Sequence, residues 1–269
     1  MGTDGSERHA AHPVVALAAL CLGAAAMLTT ARLTLAWGLR PMILLAETAL
    51  ALPGLLAAAL RPVPWRTSLA LWPLARRQVL LVLGAGASLW VASLGLFELQ
   101  AAVWPPDPDY LEGFRRLHAA LHPTGPVDAL ISIAAIAIVP ALCEESLLRG
   151  ILLPSLARPL GAGLGVLVSA LLFAFVHFDM YRFAFTFAVG IALGALRLRA
   201  GSLLAPVLAH ATLNTITFAA APFADDPTAD TASPLLGACL LALGAAVAWA
   251  ALRRVRPAPE SVDSLRGRA

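Results

Sequence analysis

Three short runs carry the groups with which this chain could do chemistry: Glu144-Glu145-Ser-Leu-Leu-Arg149, Phe173-Ala-Phe-Val-His177 and His210-Ala-Thr-Leu-Asn214. Residues four apart on a helix share a face, so Glu145 meets Arg149 with the acid in the favourable N-terminal position. Glu144 points roughly 100° away from its neighbour. One acid can therefore pair with Arg149 while the other faces a cavity. Phe173 with His177, and His210 with Asn214, likewise share faces. A carboxylate and an imidazole can activate water as general base and then protonate a leaving amine. An imidazole N–H and an amide NH₂ one turn apart could hold a developing oxyanion. Two histidines and a glutamate are also familiar ligands of a divalent metal such as zinc.

Each run lies in surroundings apolar enough to span a bilayer, where an ionisable side chain costs about 2.5–3.5 kcal/mol even on lenient insertion scales. With 59% hydrophobic and 13% charged residues, the chain falls far from the about 25% charged that soluble domains carry. The expected fold is all-α, a polytopic transmembrane helix bundle of about eight spans. They fall near 14–36, 42–60, 78–97, 130–157, 161–178, 183–198, 202–220 and 234–252. The connections 62–76 and 98–127 are rich in proline and charge. The chain divides into a three-span region over 1–127, a helical core over 128–220 carrying the three runs, and a final span with an arginine-rich tail over 221–269.

All nineteen basic residues are arginine, and their bias orients the bundle. With a cytoplasmic N-terminus, Arg8, Arg61, Arg66, Arg76, Arg77, Arg158, Arg197, Arg199, Arg253, Arg254, Arg256, Arg266 and Arg268 fall inside. Only Arg40, Arg115, Arg116 and Arg182 fall outside, with the acidic loop from Asp225 to Asp230. Both termini are expected in the cytoplasm. The first apolar run, from about Pro13 to Ala36, is too long for the core of a cleavable signal peptide. Entry of the fourth span at Val127 would set Glu144 about 26 Å deeper at ~1.5 Å per residue, too deep to meet His177. Convergence of the motifs instead asks that this helix enter near Ile133 and bend at Pro140.

Blander readings apply to single residues. Glu145–Arg149, Asn214 or a lone histidine could simply join helices within the membrane; all three runs together are harder to read as inert. Cys21, Cys143 and Cys239 are far apart, with no disulfide or metal pattern. His118 and His122 stand four apart in an amphipathic stretch, Tyr110 to Leu121, suited to the membrane surface, and that spacing can place two metal ligands on one helix face. Gly190-Ile-Ala-Leu-Gly194 is a close-approach face for internal packing. Ser202 lacks the surroundings of a nucleophile and marks a turn.

The ordered set Glu-Glu-x-x-x-Arg, Phe-x-x-x-His and His-x-x-x-Asn resembles the CAAX-protease and bacteriocin-processing (CPBP, or Abi) family of intramembrane endopeptidases. The stretch from Phe187 to His210 adds to the likeness, which covers about residues 128–220. The resemblance implies that Glu144 acts with His177 to activate water. It implies that His210 and Asn214 stabilise the oxyanion, and that Glu145, Arg149 and Phe173 support the site. The family has been described both as metal-dependent and as glutamic-type. The absence of an HExxH motif favours the glutamic type, with no cofactor required and zinc the alternative. The implied substrate is a membrane-tethered protein or peptide in a bacterial cytoplasmic membrane, cut in a C-terminal tail, sorting-signal or bacteriocin-type processing event. Two rivals are a proton-coupled transporter, against which the lack of an internal repeat counts, and a non-catalytic immunity or scaffold protein.

Overall fold

The structure is a computed structural model and describes residues 10–220 and 232–257. Arg8, Arg266, Arg268 and the Asp225–Asp230 loop lie outside the described residues. The rest is helical: α1 (Pro13–Thr34), α2 (Leu39–Ala59), the single turn α3 (Trp65–Ser68), α4 (Arg76–Val103), α5 (Pro108–Leu121), α6 (Pro126–Leu160), α7 (Ala162–Val176), α8 (Phe183–Ala200), α9 (Leu204–Ala220) and α10 (Pro234–Arg254). Eight of these match the expected spans in position. Six are long and apolar enough to cross a membrane, while α7 and α9 are shorter. The protein is thus an all-α polytopic membrane bundle, with six candidate spans among the described residues. Of the eight expected spans, six are supported by length and composition, and α7 and α9 are apolar but shorter.

Helices suit this setting because every backbone group is satisfied within its own segment where no water is available. Leu22, Leu80, Leu235, Leu243 and Trp249 point outward, as lipid-facing side chains do. Inside, Leu147, Leu148, Leu152, Phe173, Leu193 and Leu203 form the buried centre with side chains from most of the long helices. In this bundle α1 pairs with α2, α4 with α10 and α9, and α7 with α8, while α2 also packs along α6. The third span runs six residues past its expected end at 97, to Val103.

The α6 helix begins at Pro126 and is not uniform. Widened π turns occupy Ala134–Ile138 and Ser146–Leu152. Each is followed within two residues by a proline, Pro140 or Pro154. A proline has no N–H and its ring crowds the carbonyl four residues back; a widened turn relieves both problems. The expected irregularity at Pro140 is therefore present as a π turn. Between the two π turns lies Val139–Glu145, which carries both motif glutamates.

Gly190 fixes how closely α7 and α8 approach. A Cβ there would sit 2.9 Å from the Ala170 Cβ and 3.1 Å from the Phe173 ring. Gly194 faces Val166 in the same way, so the expected close-approach face is used inside the bundle. Gly201 ends α8 in the left-handed conformation, φ 62°. Ser202 then donates its hydroxyl to the Trp72 carbonyl at 2.6 Å and accepts from the Leu204 N–H. That serine is a turn residue, as its sequence context indicates.

Candidate functional site

The α6 segment splits the two adjacent acids between different surroundings. Glu145 is fully buried, and its Oε1 accepts from Arg149 Nη1 at 2.8 Å. Arg149 is equally buried, donates from Nη2 to the Gly190 carbonyl at 3.0 Å and lies over the Phe173 ring at 4.5 Å. Gly190 thus serves twice, letting α7 and α8 close and presenting its carbonyl to the guanidinium. A buried charge needs this density of partners, because its desolvation is costly.

Glu144 faces the other way, into a cavity of about 240 Å³ that His177, His210, Asn214 and Phe173 also line. Its Oε2 is buried and has no hydrogen-bond partner among the described residues. A carboxylate oxygen left bare in such a place is an acceptor waiting for water or substrate.

Both histidines are oriented through Nδ1. His177 is the residue that closes α7, and its Nδ1 lies 2.8 Å from the Phe173 carbonyl, one of the last-turn carbonyls that lack a helical partner. A carbonyl only accepts, so Nδ1 carries the proton and Nε2 offers the lone pair in the neutral ring. Phe178, just beyond, holds φ 50°, a strained value for a bulky residue that turns the chain sharply after the histidine. The ring of Phe173 meets both imidazoles edge-on, at 4.6 Å from His177 and 5.9 Å from His210. His210 Nδ1 lies 3.0 Å from Glu145 Oε1, and its Nε2 is 3.9 Å from Glu144 Oε2. Glu145 therefore links Arg149 to His210, and His210 reaches back to Glu144.

Asn214 lies one turn further along α9 and donates from Nδ2 to the Ile136 carbonyl at 3.4 Å. Ile136 stands four before Pro140, so this is the carbonyl that proline deprives of its usual helical donor. The asparagine thus also ties α9 to the π turn of α6. All seven motif residues come together, with Glu144, Phe173, His177, His210 and Asn214 on the cavity wall and Glu145 and Arg149 behind it.

One expectation outside the motifs changes. The α5 helix ends at Leu121, and His122 has left helical geometry with ψ 128°, so His118 and His122 do not share a helix face. His118 instead lines the cavity with Phe114, Leu117 and Leu121. The amphipathic α5 covers one side of the site, fastened by two contacts. Tyr110 donates to Asp179 at 2.9 Å, and burial followed by that carboxylate pushes the phenol pKa up, so it stays a donor. At the other end Arg40 donates to the Leu121 carbonyl and to Asp128.

Glu47 was absent from the sequence reading and also lines the cavity, from α2. Its Oε2 is buried without a hydrogen-bond partner. A lone carboxylate inside the apolar run 42–60 is the signal the sequence offers for it.

A metal is the other use of such donors. Histidines that commit Nδ1 to a protein acceptor present Nε2 as a ligand. Among the described residues, no group of three or more His, Cys, Asp and Glu is placed to hold a metal ion.

Residues 126–216 match the family model described as Type II CAAX prenyl endopeptidase Rce1-like. No curated protein and no solved structure matches the chain. All seven motif residues fall within the matched stretch, whereas Glu47 and α5 lie before it. The helices from α6 to most of α9 thus resemble a CAAX-protease domain, within a longer chain whose described residues are helical and membrane-spanning in character.

Proposed function

We propose that this protein is an intramembrane endopeptidase that hydrolyses a peptide bond in a membrane-tethered protein or peptide with water activated by Glu144 and His177. The observation that carries the reading is the bare Oε2 of Glu144 in one cavity with two histidines whose Nδ1 atoms are already committed. Glu144 accepts a proton from water as its oxygen attacks the scissile carbonyl carbon. The Nε2 atom of His177 aligns that water and shares its proton, which passes to the leaving amine as the C–N bond breaks. His210 donates to the oxyanion from Nε2 in its imidazolium form, whose charge lies between Glu145 and Glu144. Asn214 offers its second amide N–H to the same oxygen. Glu145 and Arg149 hold His210 and exclude water behind it. The surrounding bilayer restricts substrates to chains that enter from the membrane, such as a C-terminal tail, sorting signal or bacteriocin-type precursor.

The test compares membrane proteomes of cells carrying wild type and Glu144→Gln. The variant should leave at least one membrane protein uncleaved, with turnover of that protein down by roughly 10²–10⁴, the span of acid–base contributions. Identical proteomes from the two strains, with both proteins inserted at equal levels, would sink the reading.

A further inference from the structure

A second cavity, of about 300 Å³, lies between α4, α8 and α10 and shares Phe185 and Val189 with the catalytic one. It exists because α10 packs closely along α4 while α8 meets α4 only slightly. Gly95 and Gly244 set the α4–α10 seam, since a Cβ on either would run into the backbone of the facing helix. Toward the gap α8 presents Ala188, Ala192 and Ala195, and α10 presents Ala245 and Ala248, side chains too small to fill it. Ala188 and Ala245 are exposed, so the cavity is a groove open to the bilayer. Ser93 commits its hydroxyl to the Leu89 carbonyl at 2.5 Å, and the other lining side chains are apolar apart from the indole of Trp249 toward one end. From Leu241 to Leu252 the groove follows α10 for about 16 Å at ~1.5 Å per residue. That is close to one leaflet of a hydrocarbon core about 30 Å thick.

Arginines rim the Trp249 end. The last turn of α8 carries Arg197 and Arg199, and the end of α10 carries Arg253, Arg254 and then Arg256, with no acid in 196–203 or 249–257. The Arg253 guanidinium lies 4.5 Å over the Trp249 ring. Arg199 donates from Nη2 to the Arg253 carbonyl at 2.8 Å, and the Arg256 N–H donates to Gln78 Oε1 at 3.0 Å. These bonds tie the ends of α8 and α10 to the start of α4. A guanidinium stacked on a ring keeps its in-plane N–H fork for a phosphate, and an indole sits well at headgroup level.

A cationic rim at the head of an apolar groove one leaflet long fits a ligand with an anionic head and a hydrocarbon tail. We propose that α4, α8 and α10 form a binding site for one anionic phospholipid, its acyl chain in the groove and its phosphate on Arg199 and Arg253. The chain then ends against Phe185 and Val189, which also line the catalytic cavity, so the lipid backs that wall.

The test is native mass spectrometry of the full chain released from detergent, with dimyristoyl phosphatidylglycerol or dimyristoyl phosphatidylcholine added in equal amounts. The two lipids share their chains and differ in head charge. Wild type should retain one phosphatidylglycerol roughly tenfold or more over phosphatidylcholine, and Arg253→Gln should lower that ratio about fivefold. Arg199→Gln with Arg253→Gln should abolish the preference. Ala245→Phe, at the exposed lip of the groove, should abolish retention of both lipids. Equal retention by wild type overturns the proposal, as does a preference that survives the double arginine variant. Retention of phosphatidylglycerol unchanged by Ala245→Phe also overturns it, since the arginine-rich face then attracts anionic lipid only diffusely. Two other occupants would show in the same spectra. A lipid-free dimer disrupted by Ala245→Phe assigns the groove to a second copy of the chain, and an S-palmitoyl pentapeptide retained in place of either phospholipid assigns it to a lipidated substrate; each ends the proposal. The arginine variants sit at exposed positions and decide the matter if Ala245→Phe fails to insert.

Discussion

Glu145–Arg149 in α6 and Glu112–Arg116 in α5 are the same pair by sequence, an acid four residues before an arginine, and both close at 2.8 Å. Their surroundings differ completely. The α6 side chains are fully buried, and the α5 side chains are 46% and 78% exposed. The inner arginine adds a backbone carbonyl and an aromatic face, and the inner glutamate adds a histidine. Among the described residues the outer glutamate adds a second arginine, Arg115, at 3.7 Å. Helical spacing makes an ion pair; burial decides whether anything depends on it.

The strongest way to break the comparison is Arg149→Met. Removing one partner of a buried pair leaves an uncompensated charge and costs about 3–5 kcal/mol, read as a large fall in thermal unfolding temperature in detergent. Glu145→Gln combined with Arg149→Met should recover most of that stability, since no buried charge is left alone. Activity should stay lost, because His210 then lacks its carboxylate. Recovery of both would show that Glu145 only balances Arg149.

Gly190→Ala should come next. The added methyl meets Ala170 and Phe173, and overpacking of this kind costs about 1–3 kcal/mol. It should also lower activity beyond its effect on stability, by shifting the carbonyl and the ring that hold Arg149. Asn214→Leu should cost about 1 kcal/mol as the Ile136 carbonyl loses its donor. In a Pro140→Ala background that cost should shrink, because residue 140 can then donate to Ile136; an unchanged cost by thermal unfolding would separate the two residues. The smallest effect belongs to the outer pair. Arg116→Ala should change stability by less than about 0.5 kcal/mol and leave turnover unaffected.

The seven motif residues were legible because helical periodicity alone sets which of them share a face. The eight helices were legible because apolar runs in a bilayer can only be helical. Glu47 was overlooked because it stands alone, and a solitary carboxylate carries no spacing to compare. The His118–His122 spacing misled for a related reason: periodicity assumes a helix that continues, and this one stops at Leu121. The shortness of α7 and α9 also escaped, since apolar composition runs on through turns that only backbone geometry marks.

By itself, then, the sequence determined the helix positions, the Glu145–Arg149 pairing and the divergence of Glu144 from its neighbour, all of which follow from the geometry of one helix. Only the tertiary structure decided that Glu145 reaches His210, that Asn214 serves the carbonyl opposite Pro140, and that Glu47 and Arg182 share the cavity of Glu144. Those contacts join residues from separate helices, and no local period encodes which faces of a bundle meet.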